Sequence, residues 1–144
     1  MKLSVGIEAL AVAVPRRYLA LEDLAQARGV DPAKYTQGLG ALQMAVPDPG
    51  EDAVALAATA ARRLMAQGGV DPAKLGMLVV GTETGVDHSK AVASYVQGAL
   101  GLPRHMRTYD TQHACYGGTA ALMAASEWIA SGAAAGRSAP RRSR

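Results

Sequence analysis

"MRTYDTQHACYGGTAALMAASEWIASG", residues 106–132, contains the only cysteine of the chain and reads as three pieces. "MRTYDT" is a short β-prone run. "CYGGTAALMAASEWIASG" carries helix-forming residues, with Gly132 placed to end it. Cys115 stands where the strand hands over to the helix. A strand running straight into a helix of crossover length predicts a parallel or mixed sheet with helices packed on its faces.

The flanking sequence repeats the alternation. "LGMLVVGTE" (75–83) reads as a buried strand. "DHSKAVASYVQGALG" (87–101) reads as a helix, with Asp87 or Ser89 available to cap it. Further upstream, "EDAVALAATAARRLMAQGG" (51–69) is the clearest helix: acids at its start, two arginines late, glycines at its end. "LEDLAQARG" (21–29) is another, stopped by Gly29. "KLSVGIEALAVAVP" (2–15) reads as a strand buried on both faces and closed by Pro15. Functional residues of such sheets gather at the carboxyl ends of strands. Glu83 lies just past one strand and Cys115 just past another. "GVDPAK" occurs twice, at 29–34 and 69–74, each time after a helix. The surrounding segments do not match, so this is a reused turn rather than a structural repeat.

Composition narrows the classes. A chain of 144 residues, 49% hydrophobic and 19% charged, has the balance of one globular domain. Phenylalanine is absent, so the core must be built from Ala, Val, Leu, Met and Ile. The net charge of +3 comes from "RSAPRRSR" (137–144). Without those four arginines, eleven bases face twelve acids. The basic character belongs to a tail, and with no interleaved aromatics or reader motif it does not make a nucleic-acid surface. We divide the chain into an α/β domain over 1–132 and a basic, disordered tail over 133–144. A single cysteine excludes an internal disulfide framework. "MLVV" is too short to cross a bilayer, and no secretion signal opens the sequence. The expected setting is the cytoplasm, with no membrane partner.

Two readings of Cys115 compete. A lone cysteine in such a protein is commonly a buried structural residue, and the local sequence alone favours that reading. A cysteine opening a helix has another possibility. The unpaired N–H groups and the helix dipole favour thiolate, and the same groups can stabilise an oxyanion when a thioester is attacked. Gly117 and Gly118 would let an acyl group approach the backbone. His88, His105 and His113 do not make a zinc site with one cysteine, so no metal is expected. Tyr95 and Trp128 read as packing residues.

The wider pattern turns the balance toward catalysis. "GIEALAVAVPRRYLALEDLAQARGVDPAKYTQGLG", "MAVPDPGEDAVALAATAA", "LVVGTETGVDHSKA" and "ACYGGTAAL" occur in order. Together they resemble the amino-terminal part of the bacterial 3-hydroxy-3-methylglutaryl-CoA synthases of the thiolase superfamily, over residues 3 to about 131. The resemblance implies a thiolase-like α/β half, incomplete here. It implies that Cys115 of "ACYG" is the acylated nucleophile and Glu83 of "TETGVD" the general acid/base. Asp31 and, near it, Lys34 of "GVDPAKY" would contact the CoA-bearing ligand, although plain turn chemistry also accounts for that segment.

Acetyl-CoA and acetoacetyl-CoA would be the substrates, with no resident cofactor, and the full-length enzyme would be a homodimer. The family histidine comes from the second half of those enzymes, and none of the three here matches it. The strand that should follow Gly132 is missing. Its absence predicts an uncovered apolar edge at "LSVGIEALAVAV" and little condensation by the isolated chain. Three other readings compete: an initiating ketoacyl synthase, which generally lacks the glutamate of "TETGVD"; a non-catalytic fragment docking on a relative; and nucleic-acid binding through the arginine tail. The resemblance leaves open whether the product enters isoprenoid synthesis through mevalonate or a polyketide-branching pathway.

Overall fold

The computed structural model describes residues 4–134. They form two compact units: Ala13–Asp52, and a larger one made of the residues up to Val12 together with those from Ala53 onward.

The smaller unit contains β1 (Arg17–Ala20), α1 (Leu21–Arg28), α2 (Ala33–Thr36) and β2 (Gln43–Val46). β1 and β2 pair antiparallel, Arg17 opposite Val46 and Ala20 opposite Gln43. Each strand has only four residues, too few for a periodic pattern to announce them. Leu21 and Ala25 are buried on the inner face of α1. Gly29 ends that helix as expected, at φ 63°, where a side chain would be strained. Arg17 and Asp48 form an ion pair with both side chains well exposed, so it contributes little stability.

The larger unit contains α3 (Ala53–Gly68), β3 (Met77–Thr82), α4 (Val92–Ala99), β4 (Arg107–Gln112) and α5 (Gly117–Ala130). Two 3-10 turns, Pro72–Lys74 and Ala114–Tyr116, precede β3 and α5. β3 and β4 pair in parallel from Met77↔Arg107 to Thr82↔Gln112. Both α4 and α5 pack against this pair. The α/β arrangement expected for this region is therefore present. Val92, Ala93, Val96, Leu102, Met106 and Ala121 make its core, free of aromatic side chains as the composition requires.

The strand expected over 2–15 is not found among the described residues. Residues 4–15 form no strand, and Ile7, Leu10 and Val12 are 67%, 80% and 70% exposed. A strand buried on both faces needs neighbours along both edges, and the described residues supply none. What holds the segment is α3: Arg63 donates to the Val12 carbonyl at 2.7 Å, and Ala9 lies against Gly68, where a Cβ would come within 2.9 Å of it. The acids Glu51 and Asp52 lie just ahead of α3 rather than in its first turn. Of the tail assigned to 133–144, residues 135–144 lie outside the described residues.

Candidate active site

The parallel pairing of β3 and β4 brings two chain exits side by side. Thr82 and Gln112 are register partners, and the His113 amide extends the ladder by donating to the Thr82 carbonyl at 3.1 Å. Glu83 is the next residue on one strand. His113, Ala114 and Cys115 follow on the other. Both candidate reactive residues thus leave the sheet at its carboxyl edge, from adjacent strands.

Cys115 occupies the middle of the 3-10 turn Ala114–Tyr116, immediately ahead of α5, and it is exposed. The buried structural reading therefore fails. Close backbone contact fixes this turn. Gly117 is buried, and a Cβ there would meet the Thr111 carbonyl oxygen at 2.7 Å. The Thr111 hydroxyl donates to the Gly117 carbonyl at 2.7 Å, joining the end of β4 to the first residue of α5. A Cβ on Gly81 would lie 2.5 Å from the Gly117 backbone. Gly118, by contrast, faces open space. The two glycines thus differ: Gly117 permits the close packing, and Gly118 is not required by any contact. His113 meets Tyr116 edge to face, ring centres 5.4 Å apart, so its ring is held next to the cysteine turn by an aromatic contact.

Glu83 is exposed, without the burial that proton-transfer work favours. Its segment is nonetheless ordered by hydrogen bonds on either side. The Thr84 amide donates to the Thr82 hydroxyl at 3.1 Å. Asp87 accepts from the Ser89 amide at 2.8 Å, the Lys90 amide at 3.2 Å and the Tyr95 hydroxyl at 2.8 Å. The Ser89 amide, then the Tyr95 hydroxyl, then the Lys90 amide hold the Asp87 carboxyl below its ordinary pKa. The bond to Asp87 raises the pKa of Tyr95 above its usual value. Lys90 sits over the Tyr95 ring, 4.1 Å from its centre. Tyr95 is thus a pin for the Glu83 segment as well as a packing residue.

Neither Asp87 nor Ser89 caps α4, because the helix begins only at Val92. The cap comes from β4. Asp110 accepts from the Val92 amide at 2.6 Å and from the Ala93 amide at 2.9 Å. No sequence rule for caps finds such a residue, since those rules look just upstream of the helix.

Asp31 and Lys34 lie in the smaller unit, together on one turn. Asp31 Oδ1 accepts from the Ala33 amide at 2.9 Å, and Lys34 is exposed on α2. The second "GVDPAK" repeats this geometry: Asp71 Oδ1 accepts from the Ala73 amide at 2.9 Å. Gly29 and Gly69 precede the two turns at φ 63° and 62°. The reused turn is real at atomic detail. A groove of about 700 Å³ in the larger unit, lined by Lys74, Met77, Val79, His105, Trp128 and Ile129 among others, includes neither Cys115 nor Glu83. Its volume marks an open flank of the sheet and not the chemistry. Among the described residues no cluster of ligating side chains could hold a metal, and no helix is long and apolar enough to cross a membrane.

Comparison with known proteins assigns this arrangement. The family model for the hydroxymethylglutaryl-coenzyme A synthase N terminal matches residues 2–141. The hydroxymethylglutaryl-CoA synthase of Gibberella zeae is 39% identical over 136 residues, which are 94% of this chain and 30% of that protein. A solved structure described as MvaS in complex with 3-hydroxy-3-methylglutaryl coenzyme A is 78% identical, with a TM-score of 0.86, over 93% of this chain and 32% of that one. A 3-oxoacyl-(acyl-carrier-protein) synthase III superposes with a TM-score of 0.79 at only 28% identity, over 89% of this chain and 38% of that one. The chain thus spans about a third of the length of these relatives, and its α/β fold is thiolase-like. With nearly its whole length matched, the chain belongs to the hydroxymethylglutaryl-coenzyme A synthase family, whose N-terminal region it corresponds to.

Proposed function

We propose that this chain carries the acetyl-accepting part of a hydroxymethylglutaryl-CoA synthase site, with Cys115 as nucleophile and Glu83 as general acid/base. The Cys115 thiolate attacks the carbonyl carbon of acetyl-CoA. A carbon–sulfur bond forms to the enzyme, the bond to CoA breaks, and the CoA thiolate leaves and takes a proton. The Glu83 carboxylate then removes a proton from the acetyl methyl group. The carbon nucleophile adds to the ketone of acetoacetyl-CoA, whose oxygen takes up a proton. Water finally cleaves the enzyme thioester, releasing the product and restoring Cys115.

The observation that carries this reading is the exit of Glu83 and the exposed Cys115 from adjacent, parallel, paired strands. The 78% identity to MvaS in complex with 3-hydroxy-3-methylglutaryl coenzyme A, against 28% to a 3-oxoacyl-(acyl-carrier-protein) synthase III, favours this chemistry over the initiating ketoacyl synthases. Asp31 and Lys34 are proposed to meet the CoA-bearing ligand on the strength of the "GVDPAKY" resemblance. The same resemblance supports a homodimer for the full-length enzyme. An exposed free thiol suits the reducing cytoplasm.

Incubating the 144-residue chain with acetyl-CoA tests the proposal. Intact-mass and peptide mass spectrometry should find one acetyl group on Cys115, absent in Cys115→Ser. Condensation with acetoacetyl-CoA should be near background, because the chain spans only about a third of the length of its relatives. An acetyl group retained in Cys115→Ser, or none in the parent chain, overturns the assignment.

A further inference from the structure

The segment 83–91 carries Glu83 between two fixed points. Its near end is set by β3, through the pairing with β4 and the His113 amide bond to the Thr82 carbonyl. Its far end is the first turn of α4. That turn is fixed by Asp110, through the two hydrogen bonds from Val92 and Ala93. Asp110 belongs to β4, the strand that leads to Cys115. Both ends of the Glu83 segment are therefore tied to the strand that delivers the nucleophile.

We propose that Asp110 is a positioning residue for Glu83: its carboxylate clamps the far end of the 83–91 segment to the strand that leads to Cys115. The inference rests on the reading of Glu83 as general acid/base. Its physical basis is independent of that reading. Val92 and Ala93 are 1% and 0% exposed, so their amides cannot turn to water if the carboxylate is removed. The residue at the N-cap position, Ala91, has no side chain able to accept from them. A negative group at this helix end also meets the positive end of the helix dipole. Asp87 orders the middle of the segment, but its bonds stop at Lys90 and Tyr95 and do not reach β4.

The clamp is tested in the 144-residue chain by amide hydrogen exchange of Asp110→Ala and Asp110→Asn. In Asp110→Ala, amides 84–93 should exchange about tenfold faster or more, while β3 and α5 keep parental rates. Asp110→Asn retains an accepting oxygen but loses the charge, and should fall between. Parental rates at 84–93, or equal acceleration throughout β3 and α5, overturn the proposal.

A second readout separates positioning from general support. In deuterated water, the methyl group of an acetyl on Cys115 should gain deuterium as its proton passes to the Glu83 carboxylate and a deuteron returns. Asp110→Asn should load acetyl at the parental rate and exchange its methyl protons several-fold more slowly. Parental methyl exchange in Asp110→Asn overturns the positioning role. If the parent loads acetyl and shows no methyl exchange, the role of Glu83 fails, and with it what Asp110 is proposed to position. Amide exchange still decides whether Asp110 holds the segment.

Discussion

Asp31 and Asp71 do the same local work. Each follows a left-handed glycine and a half-buried valine, and each accepts from the amide two residues on at 2.9 Å. One oxygen of Asp31 is therefore accounted for by its turn. The pair supplies an internal control for the proposed ligand role. Asp31→Ala and Asp71→Ala should each lower stability in urea unfolding by about 0.5–1.5 kcal/mol, the worth of one such bond. A role for Asp31 toward CoA should appear as weaker acetyl-CoA binding by calorimetry in Asp31→Ala alone. Equal binding by the two variants would leave Asp31 a turn residue. That Glu83 and Cys115 lie just past the ends of strands was legible in the sequence, because the strand pattern stops shortly before each. Asp110 was not, because its bonding partners are 17 and 18 positions away and become neighbours only when β4 lies beside α4.

The junction of β3 with α5 depends on what two glycines lack. A Cβ at position 81 would come within 2.5 Å of the Gly117 carbonyl carbon and oxygen and the Gly118 nitrogen, all backbone atoms that cannot swing aside. Gly81→Ala should therefore destabilise the chain by about 1–3 kcal/mol through overpacking. It should also change the rate at which Cys115 reacts with a thiol-modifying reagent, since the displaced helix start carries the cysteine turn. Gly118→Ala enters open space within α5 and should be neutral or stabilising by up to about 1 kcal/mol. Urea midpoints of the two variants check the contrast. At this scale the sequence performed well where the signals were local. Gly29 ended α1, β3 and β4 fell within two residues of their expected bounds, and α5 followed the cysteine. It missed β1 and β2, whose pairing partners lie on opposite sides of two helices in the chain. It also offered Asp87 or Ser89 for the α4 cap, which Asp110 supplies.

Across the larger unit, the leading segment is the main departure. Its Leu10 and Val12 side chains, 80% and 70% exposed, make an apolar surface open to another chain. The variant Leu10→Lys/Val12→Lys should keep the parental circular dichroism spectrum and stay monodisperse at concentrations where the parent scatters light. Unchanged scattering would place the association elsewhere. The hydrophobic run in "LSVGIEALAVAV" was read as a strand buried on both faces, and its described residues form no strand and stay largely exposed: a hydrophobic pattern states only what a segment requires and cannot supply the neighbours that satisfy it. What the sequence determined by itself was local: which runs become helix or strand, where glycine ends them, how the two "GVDPAK" turns close, and that Cys115 meets a helix start. Those outcomes depend on dihedral preferences and hydrogen bonds within a few residues. Tertiary structure alone decided that Cys115 is open to solvent, that Glu83 is exposed just past the strand that pairs with β4, that Asp110 closes α4, and that residues 4–15 stay outside any sheet. Each of these depends on which distant segments come into contact, and burial and long-range hydrogen bonding exist only once they do.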